Sequence, residues 1–525
     1  MVNQKKSPKP TKNFGAKLKK LCKENYKSII LTAILFCFNI CMIFFKLHGH
    51  GYSLLSRRAL FVYAFLIIIT ALIIFILYKA KTNSWKIEKV FIVVAAILGP
   101  FYVLAIPVGG IPDEPAHFWR SYELSEGHLF PEINTGEETG IHIPDNLRAT
   151  ISYEYSVEDN GYLNTLNNIN IQPSSNYVVE HIPAEDYAPF NYIPQVVGVW
   201  IGKIFHLSLI LTFYLCRFLN LALCIFVFYL CVKYSPILKK VIFLVAFFPM
   251  TMHLFASVSA DGSIICAGTA LITFVLYSQN NPHQKFNIKK FLLLLAICAV
   301  LTITKPVYAP LCLALFWLPK EQFSSNKRKI LTILSLGILV LTLLLIKVAL
   351  TQSGQSKPGV DTSTQISFIL SNPLAYLATF IKNAILAPEQ FIDGVLGRQL
   401  EWFSVNLFAP PIITLFLFFA FLCAEQETHI SRSFRLFTLG AFSSIVLLVF
   451  TALYISWTPP AANIIEGVQG RYFLPILLLI PLFCQPSKKV SKRSFRHQIV
   501  KNNYLFIFTA LTNIYAITMV VCSHI

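Results

Sequence analysis

Gly109-Gly110-Ile111-Pro112-Asp113-Glu114-Pro115-Ala116-His117-Phe118-Trp119-Arg120 closes one apolar run and opens a long polar stretch. The apolar run, Val90 to Val108, matches the roughly 20 residues that cross a bilayer's hydrocarbon core. Two carboxylates follow it at once, with His117 and Arg120 close behind. Desolvating ionisable groups is costly, so a cluster of them where a membrane helix meets water points to chemistry at that boundary.

The rest of the chain repeats the apolar theme. Hydrophobic residues make up 55% of it and charged residues only 13%, against about 25% charged in a soluble domain. This composition predicts an all-α polytopic membrane protein and excludes a large soluble enzyme. Apolar runs predict spans near 28–46, 59–78, 89–108, 208–232, 241–257, 262–278, 291–304, 306–319, 330–350, 406–424, 436–456, 471–485 and 503–522. That is a bundle of about thirteen transmembrane helices. The amphipathic, Pro-interrupted run 191–206 reads as an interfacial or re-entrant piece. Segment 28–46 follows a Lys-rich N-terminus with no small-x-small cleavage site, and reads as an uncleaved first span.

Loop charge sets the expected orientation. With the basic tail 1–27 in the cytoplasm, loops 79–88, 233–240, 279–290, 320–329, 425–435 and 486–501 fall on the same side. All of them carry Lys or Arg, as the positive-inside rule requires. The rule also accounts for the net charge of +19. No Gly-rich phosphate loop, zinc-knuckle spacing or RNA-binding signature is present, so no nucleic-acid partner is expected. Loops 109–190 and 351–405 then lie outside, long enough to cap a site. Loop 109–190 holds over half of the chain's acidic residues, with Arg120 and Arg148 as its only bases. None of the twelve Cys lies in it, so neither a disulfide framework nor a Cys-based metal site is implied.

Pro112 to Gly127 reads as a short helix, with Asp113 as N-cap, Pro115 in the first turn and Gly127 as the stop. Glu114, His117 and Arg120 share one face at helical spacing. Together they offer a base, a proton shuttle and a phosphate partner. ATP and nucleotide sugars are cytoplasmic, so an enzyme acting outside must use an activated donor already in the membrane. A polyprenyl-phosphate sugar is such a donor. A carboxylate here could deprotonate an acceptor hydroxyl, or hold a divalent cation that offsets the leaving phosphate.

The phosphate calls for cations at the same level. Lys305 stands at the turn of the short helix pair, and Arg471 follows Gly470 at the start of a span. An anchor snorkelling to the interface is the plainer reading of Lys305, whereas for Arg471, beside Gly470, an anchor and a phosphate contact weigh equally. Arg217, inside span 208–232, calls for a structural partner or a ligand. Asp261 reads as a helix cap, His253 as a satisfied packing residue, and Tyr187 to Pro194 as part of an aromatic belt.

Five stretches resemble the DUF2142 family of predicted membrane proteins. They are Pro112-Asp-Glu-Pro-Ala-His-Phe118, Tyr187-Ala-Pro-Phe-Asn-Tyr-Ile-Pro194, Ser259-Ala-Asp261, Lys305-Pro-Val-Tyr308 and Gly467-Val-Gln-Gly-Arg-Tyr-Phe473. The similarity runs from about residue 89 to 485. The family in turn looks like a branch of the GT-C membrane glycosyltransferases. Those enzymes use lipid-phosphate sugars and carry essential acids in the first large outer loop. The resemblance implies a GT-C-like domain over 89–485, preceded by an added hairpin at 28–88 and followed by 486–525, a basic loop and last span.

The expected function is transfer of a sugar from a polyprenyl-phosphate donor to an extracytoplasmic glycan or glycolipid, in a bacterial cytoplasmic membrane. Asp113, Glu114 and His117 are the expected catalytic residues. Arg120, Lys305, Gln469, Arg471 and Tyr472 are the expected substrate-binding ones. A transporter or lipid flippase is the competing class, for which Arg217 and the broken pair around Lys305 speak.

Overall fold

A computed structural model describes residues 14–49, 53, 56–129, 141–152, 161–180, 184, 187–350, 359–386, 388–401, 404–407, 430–484 and 504–524. Among them, eight helices are long and apolar enough to cross a membrane. They are Phe14–Gly49, Arg57–Thr82, Ile87–Ala105, Leu209–Tyr234, Asp261–Asn280, Asn326–Leu350, Arg432–Ser456 and Tyr504–Ser523. The protein is a mostly helical, multi-pass membrane protein.

The expected count of about thirteen spans is not reached among the described residues, and proline is the main reason. It removes a backbone donor and clashes with the preceding turn. Predicted span 241–257 breaks into Lys239–Ala246 and Pro249–Phe255, with Pro249 opening the second piece. Predicted span 306–319 becomes short turns from Pro306 to Trp317. Predicted span 471–485 becomes the 3-10 turn Gly470–Ile476, which contains Pro475, and the short helix Leu479–Phe483. Predicted span 291–304 is a single helix, Ile288–Thr304, of 17 residues. Predicted span 406–424 and loop 486–501 lie almost wholly outside the described residues.

The core follows helix Leu209–Tyr234, which packs on Ile87–Ala105, on Asp261–Asn280 and on the shorter Ile193–Ile204. The run 191–206 is therefore a helix laid along a neighbouring span and against Glu114–Ser125. The N-terminal helices Phe14–Gly49 and Arg57–Thr82 pack on Tyr504–Ser523, so the two ends of the chain form one flank.

The described part of loop 109–190 is a folded layer. Phe118, Trp119, Tyr122, Ile141, Ile143, Leu147 and Ile151 bury together with Val199 and Phe213 of the membrane helices. A two-stranded antiparallel ribbon, Ile141–Pro144 with Tyr177–Glu180, adds the first of two small departures from an all-α fold among the described residues. The other is Gln399–Leu400 with Val405–Asn406. Loop 351–405 supplies helices Thr362–Ser371, Pro373–Phe380 and Glu389–Leu396.

Four helices of mixed direction lead to the same charged residues. Ile87–Ala105, Leu209–Tyr234, Asp261–Asn280 and Ile288–Thr304 each put one end near Asp113, Arg217, Asp261 or Lys305. Their other ends border the basic loops. Lys86, Lys233 and Lys239 line one cavity there, and Lys285 and Arg328 another.

Candidate functional site: a four-charge cluster at the helix ends

Asp113 heads the helix Glu114–Ser125, which ends just before Gly127 at φ +96°. The helix matches the sequence expectation, but the cap does not. Asp113 makes no side-chain capping bond and adopts a left-handed backbone conformation, φ 66°. Asp tolerates this region better than most residues, yet it remains uncommon. The twist frees the carboxylate from its own helix. Arg471 Nη2 donates to Asp113 Oδ2 across 2.8 Å.

Arg471 also faces a second carboxylate. Its Nε lies 3.5 Å from Asp261 Oδ2, a charge contact without an aligned N–H bond. Asp261 in turn accepts from Lys305 Nζ at 2.8 Å. The Tyr472 ring lies under both cations, 4.6 Å from Lys305 Nζ and 5.6 Å from Arg471 Cζ. The result is an alternating chain, Asp113–Arg471–Asp261–Lys305. Arg471 is 7% exposed, whereas the Asp113 side chain is 50% exposed. The cluster therefore opens at Asp113.

His117, one turn along the helix, sits behind this chain. Its Nδ1 is 2.6 Å from the Tyr192 hydroxyl, and the Tyr187 ring packs against it at 5.1 Å. Burial pushes its pKa down to about 4, against the opposing pull of Asp113 and Asp261. His117 is therefore neutral at pH 7.

Glu114 has a different setting from its neighbour. It is fully buried, and its two oxygens accept from Arg217 Nε and Nη2 at 2.8 and 2.6 Å. The Val258 amide donates to it as well. Arg217 completes its bonds on the carbonyls of Val103, Ile106 and Pro107. The pair ties three segments together, because an unpaired charge there would be very costly. Arg120 is likewise engaged elsewhere. It pairs with Glu123 and donates to the Leu129 carbonyl. Helical spacing from Glu114 does not bring Arg120 into the cluster. Gln469 immediately precedes the turn that carries Arg471 and is half-buried.

Sequence reasoning set aside three residues that meet here. Asp261 does not cap its helix. Tyr187 and Tyr192 belong to the wall around His117. The signal for Asp261 was its place at a helix end on the same side as Lys305. His253 is buried as expected, but neither ring nitrogen finds a hydrogen-bond partner among the described residues.

A family model described as "Predicted membrane protein (DUF2142)" matches residues 91–480. The chain belongs to the DUF2142 family. Every member of the DUF2142 protein's charge cluster, and the Glu114–Arg217 tie beneath it, falls inside the matched segment. The flanking helices Phe14–Gly49, Arg57–Thr82 and Tyr504–Ser523 fall outside it. No curated protein and no solved structure matches the chain.

The DUF2142 cluster offers two carboxylates, Asp113 and Asp261, both facing Arg471. Among the described residues, no group of three or more His, Cys, Asp or Glu side chains could hold a metal ion. A divalent cation does not fit a donor set in which a guanidinium stands between the carboxylates.

Proposed function

We propose that the protein is a membrane glycosyltransferase of the GT-C type. It moves a sugar from a polyprenyl-phosphate donor to an extracytoplasmic glycan or glycolipid. The observation that carries the reading is the half-exposed Asp113 carboxylate paired with buried Arg471, with half-buried Lys305 joined to the same chain through Asp261. A proton acceptor and a phosphate binder stand together at one end of the bundle. Basic loops at the other helix ends support a site that faces outward, in a bacterial cytoplasmic membrane.

The charges balance through the step. The empty cluster holds two cations, two carboxylates and a neutral His117. The donor is a phosphodiester with one negative charge, and it draws Arg471 away from Asp113. The acceptor hydroxyl oxygen attacks the anomeric carbon, and its proton passes to Asp113. The bond from that carbon to the phosphate oxygen breaks, and the electron pair leaves with the phosphate. The new negative charge appears beside Lys305 and Arg471 as Asp113 becomes neutral. Asp261 keeps Lys305 and Arg471 oriented throughout. Neutral His117 positions the Tyr192 hydroxyl and holds no net charge against the phosphate.

The transport reading finds less support. It rests on Arg217 and on the broken pair around Lys305; the break stands, with short turns from Pro306 to Trp317, but the Arg217 guanidinium is taken up by Glu114 and backbone carbonyls. A charge so held is a structural tie.

The direct test compares surface glycans of cells with the gene, without it, and with Asp113→Asn. The expected result is loss of one sugar from an envelope glycan in both altered strains. An unchanged glycan profile in the deletion strain would overturn the reading.

A further inference from the structure

At the basic end of the bundle, a cavity of about 560 Å³ opens between the starts of spans Ile288–Thr304 and Asn326–Leu350. The two spans pack on each other. The loops that lead into them are joined as well. The Phe286 amide donates to the Gln322 carbonyl at 2.9 Å, and the Phe286 and Phe323 rings stack at 4.8 Å. Span Ile288–Thr304 runs from this cavity to Lys305, so the cavity lies at the far end of that span from the charge cluster. It has no part in sugar transfer.

The wall is graded in polarity. Lys285 and Arg328 stand at the mouth, and neither meets a carboxylate among the described residues. Arg328 Nη1 reaches the Ser324 hydroxyl at 3.4 Å. Glu321 is the one acid of the wall among the described residues, and Lys329 stands beside it. Farther in, Ile288 and Phe291 face Thr332 and Ser335. The Thr332 hydroxyl donates to the Arg328 carbonyl and the Ser335 hydroxyl to the Thr332 carbonyl, so both are spent on their own helix. From Arg328 to Ser335 the span rises roughly 10 Å. The headgroup layer is about 5–7 Å deep on each side of a bilayer. With Arg328 at headgroup level, the inner end of the cavity reaches the hydrocarbon. Ile288 is 66% exposed on the outside of the bundle, so the cavity is open to lipid.

We propose that this cavity binds the headgroup of an anionic glycerophospholipid with a hydroxylated head, of the phosphatidylglycerol kind, from the leaflet on the basic-loop side. Loop charge alone calls for lysines; it does not call for a cavity that descends with them into hydrocarbon. Arg328 offers a planar fork to two phosphate oxygens, and Lys285 a second positive charge. A soluble anion would fill the mouth and leave Ile288 and Phe291 unmet, whereas the esters and first acyl carbons of a lipid continue past the phosphate into that depth. The head is selected too. An ethanolamine ammonium would bring a third positive charge to Lys285 and Arg328, with Glu321 already beside Lys329. Glycerol hydroxyls instead meet the Ser324 hydroxyl and the amide N–H groups of Asn287, whose side-chain oxygen accepts from the Lys290 amide.

The test titrates the purified full-length protein in a nonionic detergent with dioctanoyl phosphatidylglycerol, dioctanoyl phosphatidylethanolamine and glycerol 3-phosphate. Wild-type protein should bind the phosphatidylglycerol about 10-fold more tightly than the phosphatidylethanolamine, and roughly 30-fold more tightly than glycerol 3-phosphate. Lys285→Gln combined with Arg328→Gln should weaken phosphatidylglycerol binding by roughly 30-fold. Ser335→Phe, which fills the inner end, should weaken it by about 10-fold, and decides the matter if the double variant melts below the wild type. Lys79→Gln removes an exposed charge from the same side, outside the cavity, and should bind as the wild type does. Equal affinity for the two lipids would overturn the headgroup assignment. Glycerol 3-phosphate binding as tightly as the phosphatidylglycerol would make this a site for a soluble anion and overturn the lipid. Cavity variants that bind as the wild type does, or a Lys79→Gln loss as large as that of the pair, would assign the binding to general surface charge and overturn the cavity. Each of these results leaves the glycosyl-transfer reading where it stands.

Discussion

Arg217 Nη2 lies 2.6 Å from Glu114 Oε2, within a shell completed by the carbonyls of Val103, Ile106 and Pro107. The next residue back, Asp113, turns its carboxylate the other way, to Arg471. Two adjacent acids therefore have opposite duties. Glu114 holds the start of its own helix to Arg217 of Leu209–Tyr234 and to the Val258 amide, and Asp113 faces the opening of the cluster.

Substitution should separate the two. Glu114→Gln leaves Arg217 buried without its counter-charge and should cost about 3–5 kcal/mol. The expected readout is a large drop in melting temperature and in folded yield. Asp113→Asn removes one partly exposed pair and should change stability by about 1 kcal/mol or less. It should still reduce sugar transfer by roughly 100-fold or more. Similar melting temperatures for the two variants would contradict this division.

Arg471 is the second discriminating position. Arg471→Ala removes the cation that both carboxylates face, and Arg471→Lys keeps the charge without the planar fork. Transfer should fall by roughly 1000-fold in the Ala variant and by about 10-fold in the Lys variant, with the loss in phosphate-donor affinity. Binding isotherms with a prenyl phosphate check this. Equal activity in the two variants would mean that Arg471 does not act through its charge.

Much of this arrangement was legible in the sequence, and the remainder was hidden for identifiable reasons. The apolar runs located the eight long helices, because a bilayer's thickness fixes their length. Pro112 to Gly127 announced its helix through turn chemistry. Spacing on that helix misplaced Glu114, because its partner Arg217 is chosen by tertiary packing, and Arg120, because Glu123 three residues on and the nearby Leu129 carbonyl claim it. Asp261 looked like a cap because the sequence carries no sign that Lys305 and Arg471 approach it. Local rules reach about a turn, while the contacts of Glu114 and Asp261 join residues from separate segments.

Acid should weaken the protein through His117. Its folded pKa, about 4, lies below the ordinary value of 6.5. Between those values the unfolded chain binds a proton that the folded chain refuses. Stability is therefore full above about pH 6.5 and falls as pH drops toward 4, by up to about 3 kcal/mol. Melting curves from pH 7 to pH 4 should show the loss, and His117→Asn should flatten it. An unchanged slope in that variant would assign the acid sensitivity to other groups.

Gly470 offers a test of how rigidly the turn is set. Its missing side chain admits the Phe391 carbonyl and the Gly394 backbone, at 2.4 and 2.5 Å from where a Cβ would be. Both neighbours are backbone, so Gly470→Ala cannot be absorbed by a rotamer change. The cap helix Glu389–Leu396 must move away from the turn, at about 1–3 kcal/mol. Arg471 would move with the turn, and its bond to Asp113 would lengthen. The expected phenotype is a raised KM for the lipid donor that exceeds any change for the acceptor. Gly337→Ala serves as the control, since no atom stands within 4 Å of its Cβ position. If Gly470→Ala and Gly337→Ala gave the same kinetics, the close approach would have no bearing on the site.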